Sequence, residues 1–202
     1  MPDKGFGVQV PVRTRRKGFS MAQPRSDEGQ LSEYIVNVPD YPQPGIIFKD
    51  ITPLLANGDA LRRSIASLAQ SFQSSKTDRI AGIEARGFIL GAAVAAEIGV
   101  GFIPLRKPGK SPRDVHSVRY QLEYGFDELQ VHKDLIETDM NIGLIDDVLA
   151  TGGTAVAAID LIQKGGGIVT GFGCLLELGF LAGRSKIQST YPGLPIHALV
   201  QQ

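Results

Sequence analysis

The chain has 202 residues with 21 basic and 21 acidic side chains, so its net charge of zero gives it no general attraction to nucleic acid or to a membrane surface. This length predicts a single domain with a substantial core. The one cysteine, Cys174, excludes an internal disulfide framework, and no apolar run approaches the roughly 20 residues that a membrane span requires.

Residues 1–28 are predicted to form a basic, disordered arm in front of one domain at residues 29–202. Five basic residues stand against one acid before residue 21, and the stretch has no hydrophobic periodicity. Such a segment cannot bury enough apolar surface to fold by itself. Met21 is an alternative start of the protein in this interpretation, because the recognisable domain begins beyond it.

The first part of the domain contains two predicted helices and a short extended segment. One helix begins near residues 26–29 and ends before Pro39, since proline cannot continue a helix. Residues 46–48 form an extended run within a proline-rich stretch. Apolar residues then recur at helical spacing from Asp59, the predicted N-cap, to about Ser74.

Apolar strands alternate with helices in the rest of the chain, which predicts an α/β fold with a doubly wound, mainly parallel sheet. A small N-terminal hood precedes this sheet. Residues 111–127 are a long polar excursion that predicts a mobile lid loop, and residues 129–132 alternate like an edge strand. The strands of the sheet are predicted at residues 79–83, 101–105, 142–146, 168–177 and 196–200, with a short helix at 181–187.

Two charged segments directly follow the first two of these strands. Glu84 and Arg86 lie in a tight turn that ends at Gly87, where the guanidinium can bind an anion through two hydrogen bonds. Residues 106–110 are cationic or turn-forming and cannot pack in a core. A surface Arg–Glu pair and a solvated basic loop are the alternatives for the two segments.

Residues 142–154 combine a strand, an acidic pair and a glycine loop before a helix. Glycines at a helix N-terminus let backbone N–H groups approach a phosphate closely. The two carboxylates would repel that phosphate but suit the neutral hydroxyls of a ribose. The segment therefore predicts a ribose 5-phosphate site, with an N-capped strand-to-helix turn as the alternative. The predicted site residues are Asp146, Asp147, Ala150, Thr151, Gly152, Gly153 and Thr154.

The order of residues from Ile145 to Thr154 resembles the phosphoribosyl pyrophosphate motif of type I phosphoribosyltransferases, in the form typical of the adenine branch. The resemblance covers about residues 29–200 through four motifs in the expected order, and it implies the fold of that family. It also implies that the turn after the first strand binds pyrophosphate, often with a cis peptide. The implied pyrophosphate-binding residues are Glu84, Ala85, Arg86, Gly87, Lys107 and Lys110, with Arg86 also catalytic.

The same resemblance implies how the purine base is bound. Residues 41–50 resemble the hood of the adenine branch. There, Ile47 and Lys49 would bind the edge of the base through their backbone groups. Phe48 would stack on one face of the base, and Leu178 would pack on the other.

Residues 122–125 resemble the catalytic loop of the family. The resemblance makes Glu123 the candidate general acid or base that faces the purine. Tyr124 would help this lid to close over the site. Without the resemblance, Glu123 would be an ordinary exposed acid.

The resemblance implies transfer of the 5-phosphoribosyl group from phosphoribosyl pyrophosphate to adenine, giving AMP and pyrophosphate in purine salvage. A cytoplasmic homodimer is implied, with Mg²⁺ held by substrate oxygens and water rather than by direct protein ligands. No nucleic acid or membrane partner is expected. One alternative is a 6-oxopurine phosphoribosyltransferase, disfavoured by the adenine-like hood. The other is a non-catalytic regulator of the same fold, which would need neither Glu123 nor the lysine loop.

Overall fold

The computed structural model describes residues 27–73, 75–121 and 125–202. Its centre is a five-stranded sheet whose neighbouring strands are all parallel. These strands are β3 (Arg79–Ile83), β4 (Gly101–Leu105), β7 (Asn141–Leu149), β8 (Ile168–Glu177) and β9 (Ile196–Gln201). The predicted α/β fold and its parallel sheet are therefore confirmed.

The strands lie in the order β4-β3-β7-β8-β9, so the chain leaves β3 in one direction and later returns to its other side. The switch point lies between β3 and β7, which pair in parallel from Arg79 with Ile142 to Gly82 with Ile145. In open α/β sheets, ligands bind outside the carboxyl ends of the strands at such a point. The topology thus predicts a ligand site at the segments that follow β3 and β7.

Helices cover both faces of the sheet, and each face has its own apolar cluster. The helices are α1 (Asp27–Ser32), α2 (Thr52–Ala56), α3 (Gly58–Gln73), α4 (Arg86–Ile98), α5 (Gly153–Lys164) and α6 (Gly183–Thr190). Ile80 and Ile145 pack with Leu68 and Leu90, on the face covered by α3 and α4. The adjacent residue Leu144 packs with α5 on the opposite face, as the two-residue period of a strand requires. None of the helices described in residues 27–202 has the length and apolar character to cross a membrane.

The hood consists of β1 (Val36–Pro39) paired antiparallel with β2 (Ile47–Asp50), which confirms the predicted extended run. The second helix after the hood, α3, is capped by Asn57 rather than by the predicted Asp59. Asn57 Oδ1 accepts the N–H groups of Asp59 at 3.1 Å and of Ala60 at 2.9 Å. Asn57 satisfies the first donors of the helix, and Asp59 instead forms ion pairs within the first turns.

The polar excursion contains a separate two-stranded ribbon, formed by β5 (Val115–Gln121) and β6 (Phe126–His132). Residues 129–132 were predicted as an edge strand, but in the structure they pair with β5 and not with the central sheet. Leu129 and Val131 are buried because the ribbon packs against the α5 face. A single backbone bridge between Arg106 and Gln130 joins the ribbon to the end of β4.

The segment after β8 departs from the single helix predicted at residues 181–187. A 3-10 turn at Gly179–Leu181 comes first, and α6 begins only at Gly183. Ala182 separates the two because its φ of 54° cannot continue a right-handed helix. Cys174 lies in the core as predicted, and burial raises the pKa of its thiol.

Candidate active site

The loop after β7 and the first turn of α5 enclose a small pocket. Its lining consists of Asp146 and residues 148–155, around an empty volume of about 310 Å³ that is partly open to solvent. Gly152 has a φ of 77°, which a residue with a Cβ rarely adopts, and α5 begins at the next residue. The N–H groups in the first turn of this helix lack partners within it, so the pocket suits an anion.

The acidic pair lies within β7 and not at its end, because the strand continues to Leu149. The pairing of β7 with the neighbouring strand β3 ends at Ile145, so both carboxylates follow the last residue of β7 that pairs with β3. Burial and the charge of Asp147 raise the pKa of Asp146 well above its usual range. Asp146 lines the pocket, whereas Asp147 does not.

Asp147 is only 6% exposed and faces the turn after β3. Its Oδ2 lies 2.9 Å from Nε of Arg86, which is the distance of an ion pair. Nevertheless, no described residue donates a well-directed hydrogen bond to this oxygen. Since buried carboxylate oxygens are normally hydrogen-bonded, this one is suited to accept a hydrogen bond from a hydroxyl group of a ligand.

The turn after β3 approaches the acidic pair closely. Its Glu84–Ala85 peptide bond is cis. At Gly87, a Cβ would lie 3.0 Å from Oδ1 of Asp146 and 3.0 Å from the carbonyl oxygen of Ile145. Glycine at this position therefore allows the first turn of α4 to pack against β7.

Glu84 joins this turn to the basic loop that follows β4. Its carboxylate accepts the N–H of Lys107 at 2.8 Å and Nζ of Lys110 at 2.5 Å. Nε of Arg106 lies 3.9 Å from Oε2 of the same carboxylate. Burial acts to raise the pKa of Glu84, but the hydrogen bonds from Lys110 and Lys107 outweigh it and lower the pKa below its usual value. Glu84 is thus a fixed negative charge among three cationic residues.

Lys107 extends toward the ribbon. Its Nζ donates a hydrogen bond to the hydroxyl of Tyr120 at 3.0 Å and forms a short ion pair with Asp127. Burial alone would lower the pKa of Lys107, but hydrogen bonding to Asp127 and Tyr120 raises it. The ammonium therefore remains charged where the ribbon, the basic loop and α5 meet.

The hood places an aromatic side chain beside the turn after β3. The guanidinium carbon of Arg86 lies 5.2 Å from the centre of the Phe48 ring, within cation–π distance. Tyr41 packs edge-on against the same ring, with 5.2 Å between the ring centres. Val38, Tyr41, Phe48 and Asp50 line an open pocket.

The two flanking hood residues and Leu178 lie in different parts of this region. Ile47 is exposed and Lys49 is half-buried, and both lie in β2. Leu178 follows β8, and its N–H donates to the carbonyl oxygen of Leu149 at 2.9 Å. That hydrogen bond places Leu178 next to the loop after β7. Its pairing with Phe48 across a bound base remains a prediction.

Four residues of this region were not identified from the sequence. Tyr120 and Asp127 bind Lys107, Tyr41 packs on Phe48, and Gly183 packs against Gly152. The sequence predicted only a polar loop around Tyr120 and Asp127, without a partner for the tyrosine hydroxyl. Each contact joins segments that are far apart in the chain, so local sequence patterns carry little signal for it.

Glu123 and Tyr124, predicted for the lid, lie outside the described residues. Among the residues that are described, His, Cys, Asp and Glu side chains do not form a group of three or more that could hold a metal ion. The oxygen donors at the predicted ribose site are Asp146 and Asp147, and Oδ2 of Asp147 has no hydrogen-bond partner among the described residues. Two carboxylates of this kind fit a cation that is bound mainly through the oxygens of a ligand.

Comparison with known proteins identifies similar chains. The family described as phosphoribosyl transferase domain matches residues 50–189. An adenine phosphoribosyltransferase from Thermobifida fusca is 51% identical over 157 residues, which are 78% of this chain and 89% of that protein.

Solved structures of similar chains have the same architecture. An adenine phosphoribosyltransferase from Rhodothermus marinus is 44% identical with a TM-score of 0.81, over 86% of this chain and 97% of that one. A second, from Giardia lamblia and complexed with 9-deazaadenine, is 34% identical with a TM-score of 0.81, over 86% and 97% of the two chains.

Proposed function

The chain belongs to the phosphoribosyltransferase family, and we propose that it transfers the 5-phosphoribosyl group from phosphoribosyl pyrophosphate to adenine. The products are AMP and pyrophosphate, and the reaction is one of purine salvage. The similar proteins named above are adenine phosphoribosyltransferases, which favours adenine over a 6-oxopurine and an enzyme over a non-catalytic regulator. Within the site, the position of Arg86 carries the proposal, since it contacts both Asp147 and Phe48.

The two contacts of Arg86 suggest where the reacting carbon would lie. A ribose held by the acidic pair and a purine stacked on Phe48 would meet beside this guanidinium. The reaction displaces pyrophosphate from the anomeric carbon, and positive charge develops on the ribose ring as that bond breaks. Carboxylates at Asp146 and Asp147 would stabilise this charge, while Arg86 would bind the leaving group.

The 5-phosphate would bind in the pocket at the start of α5. The backbone N–H groups of residues 150–154 and the hydroxyls of Thr151 and Thr154 would supply the hydrogen bonds, with Gly152 and Gly153 allowing close approach. Pyrophosphate would bind to the backbone of Ala85 and Gly87. The cationic side chains of Arg86, Lys107 and Lys110 would neutralise its charge, while Glu84 holds the basic loop in place.

For the base, we propose backbone hydrogen bonds from Ile47 and Lys49, with Phe48 and Leu178 on its two faces. Glu123 would exchange a proton with the imidazole ring of the purine as the new bond forms. Tyr124 would help to exclude water, which would otherwise attack the ribosyl cation. These assignments rest on the resemblance of the hood and lid segments to the adenine branch.

We further propose Mg²⁺ as cofactor, which would neutralise negative charge on the pyrophosphate leaving group. Asp146 and Asp147 would hold it indirectly, through ribose hydroxyls and through water. A homodimer is proposed because the resemblance to the adenine branch implies one. A cytoplasmic location is proposed because phosphoribosyl pyrophosphate is too highly charged to cross a bilayer. Light scattering of the purified protein would measure its oligomeric state.

One incubation tests the reaction and its base specificity. The protein is mixed with phosphoribosyl pyrophosphate, Mg²⁺ and adenine, hypoxanthine, guanine, xanthine, uracil and orotate together, and the nucleotides are separated by chromatography. We expect AMP as the main product. Formation of IMP or GMP instead would establish the 6-oxopurine alternative, and binding of phosphoribosyl pyrophosphate without any nucleotide product would establish the regulator.

A further inference from the structure

The hydroxyl of Tyr120 connects the two ends of the site. It accepts a hydrogen bond from Nζ of Lys107 at 3.0 Å and one from Oγ1 of Thr154 at 3.4 Å. It donates its own proton to Oδ2 of Asp127 at 3.2 Å. A hydroxyl has one donor and two acceptor positions, and all three are used here.

The partners of Tyr120 belong to three different structural elements. Lys107 lies in the basic loop after β4, Thr154 lies in the first turn of α5, and Asp127 lies in β6. Tyr120 itself lies in β5. A single oxygen atom thus joins the basic loop, the pocket at the start of α5 and both strands of the ribbon.

We propose that Tyr120 is a positioning residue that fixes Lys107 relative to the 5-phosphate pocket. The groups that bind the two anionic ends of one substrate are thereby held at a fixed distance from each other. This inference rests on the proposed function, because it assumes that Lys107 binds pyrophosphate and that Thr154 binds the 5-phosphate. Tyr120 itself need not touch the substrate. Its hydroxyl sets the distance between two groups that do.

The surroundings of Lys107 explain why such a residue is needed. A lysine side chain has four rotatable bonds and loses conformational entropy when it is fixed in one position. Asp127 neutralises the ammonium, and the Tyr120 ring lies beneath it with Nζ 5.6 Å from the ring centre. Only the hydroxyl, however, also reaches α5. Removing it should leave Lys107 paired with Asp127 but no longer tied to the phosphate pocket.

The Tyr120→Phe variant tests the proposal, because it removes one oxygen and keeps the ring. The matched control is Tyr191→Phe, which removes a tyrosine hydroxyl that bonds to Asp160 elsewhere on α5. Binding of two probes is measured by calorimetry: pyrophosphate with Mg²⁺, and ribose 5-phosphate. We expect Tyr120→Phe to weaken the binding of pyrophosphate roughly tenfold, because a hydrogen bond to the charged Lys107 is lost. The binding of ribose 5-phosphate should weaken roughly threefold, because the lost bond to Thr154 involves a neutral group. The control should change neither.

Lys107→Met provides the reference from the pyrophosphate end. It should weaken pyrophosphate binding strongly and, because its contact with the Tyr120 hydroxyl is also lost, weaken ribose 5-phosphate binding about twofold. If Tyr120→Phe leaves ribose 5-phosphate binding unchanged, or matches the Tyr191→Phe control, the hydroxyl does not link the two ends and the proposal is wrong. A purely structural role in the ribbon would change the melting temperature without changing either dissociation constant.

Thr154→Val gives a second test from the other side of the contact. It should weaken pyrophosphate binding about twofold, although Thr154 itself binds the opposite end of the substrate; unchanged pyrophosphate binding would contradict the link. Wild-type protein that binds both probes but forms no AMP from adenine would refute the proposed function alone. The positioning role of Tyr120 would still be decided by the binding data.

Discussion

At the scale of single residues, the acidic pair shows how neighbouring side chains of one type acquire different properties. Asp146 lines the pocket at the start of α5, and burial together with the charge of Asp147 raises its pKa. Asp147 points toward Arg86 and forms an ion pair with it. Adjacent residues of a strand face opposite sides, so the two carboxylates could hold two different parts of a ribose.

Asp146→Asn should weaken substrate binding and stabilise the free protein. The pKa of Asp146 is higher in the folded than in the unfolded chain, so the folded state binds more protons. Its contribution to the free energy of unfolding is therefore lost as pH rises from the unfolded value near 3.8 through the raised folded pKa. We expect a higher melting temperature for the variant at pH 7, with the difference shrinking toward pH 4.

Steady-state kinetics of the same variant measure the functional cost. The KM for phosphoribosyl pyrophosphate should rise roughly tenfold or more, because a hydrogen bond from a ribose hydroxyl to a charged acceptor is lost. Asp114→Asn is the control, since its side chain is 91% exposed on the ribbon side of the molecule. An unchanged KM for Asp146→Asn would rule out contact with the ribose.

Glu123→Ala tests the proton transfer. If Glu123 is the general acid or base, kcat should fall by roughly 10²–10⁴ while the KM for phosphoribosyl pyrophosphate changes little. Glu137→Ala, at an exposed position after the ribbon, is the matched control. A near-normal kcat would leave Glu123 as a lid residue without a chemical role.

At the scale of structural elements, the loop after β7 depends on a glycine from another helix. Gly183 begins α6 and packs directly on the loop after β7. A Cβ on Gly183 would overlap the carbonyl oxygen of Ala150 and lie 3.0 Å from the backbone nitrogen of Gly152. The conformation of the loop after β7 is thus supported by α6, which the partly buried Arg184–Glu177 ion pair holds to the end of β8.

Gly183→Ala should displace the loop after β7, because the added methyl group would overlap its backbone. We expect the KM for phosphoribosyl pyrophosphate to rise at least roughly tenfold, and the protein to lose about 1–3 kcal/mol of stability from overpacking. Gly179→Ala is the matched control in the same connection, because the nearest atom to its Cβ would be an ordinary 3.7 Å away. Equal KM values for the two variants would show that the loop tolerates the added methyl group.

At the scale of the whole molecule, the sheet topology brings the proposed substrate groups together. The turn after β3 and the loop after β7 flank the switch point, and the basic loop follows β4 at the same end of the sheet. The hood and the ribbon contribute their residues at this end as well, through the Arg86–Phe48 and Lys107–Tyr120 contacts. The basic segment at residues 1–26 lies outside the described residues, and we propose that it is dispensable for catalysis.

Deletion of residues 1–20 tests this division of the chain. The shortened protein, starting at Met21, should keep its kcat, its KM for both substrates and its melting temperature. The family match begins only at residue 50, which is consistent with this expectation. A marked loss of activity or stability on deletion would show that the basic segment is part of the folded domain.

The sequence by itself determined the five strands of the central sheet, the sheet class and the three charged or glycine-rich segments that follow strands. It did not identify β1, because residues 36–38 were assigned to the first helix, which was predicted to end only before Pro39. These features were predictable because they depend on local patterns: apolar runs, turn residues, and a helix that begins directly after a glycine loop. The cap of α3 was misplaced by two residues, since Asn57 and Asp59 are both good capping residues and only the geometry decides between them.

Only the tertiary structure decided which distant groups contact one another. Arg86 with Phe48, Lys107 with Tyr120 and Asp127, and Gly183 with Gly152 join segments that no short pattern connects. The raised pKa of Asp146 likewise depends on the burial of its carboxylate by the folded chain, beyond the presence of a neighbouring acid. Local sequence determines which chemical groups lie at the end of each strand, whereas the packing of the strands and helices determines the distances between them.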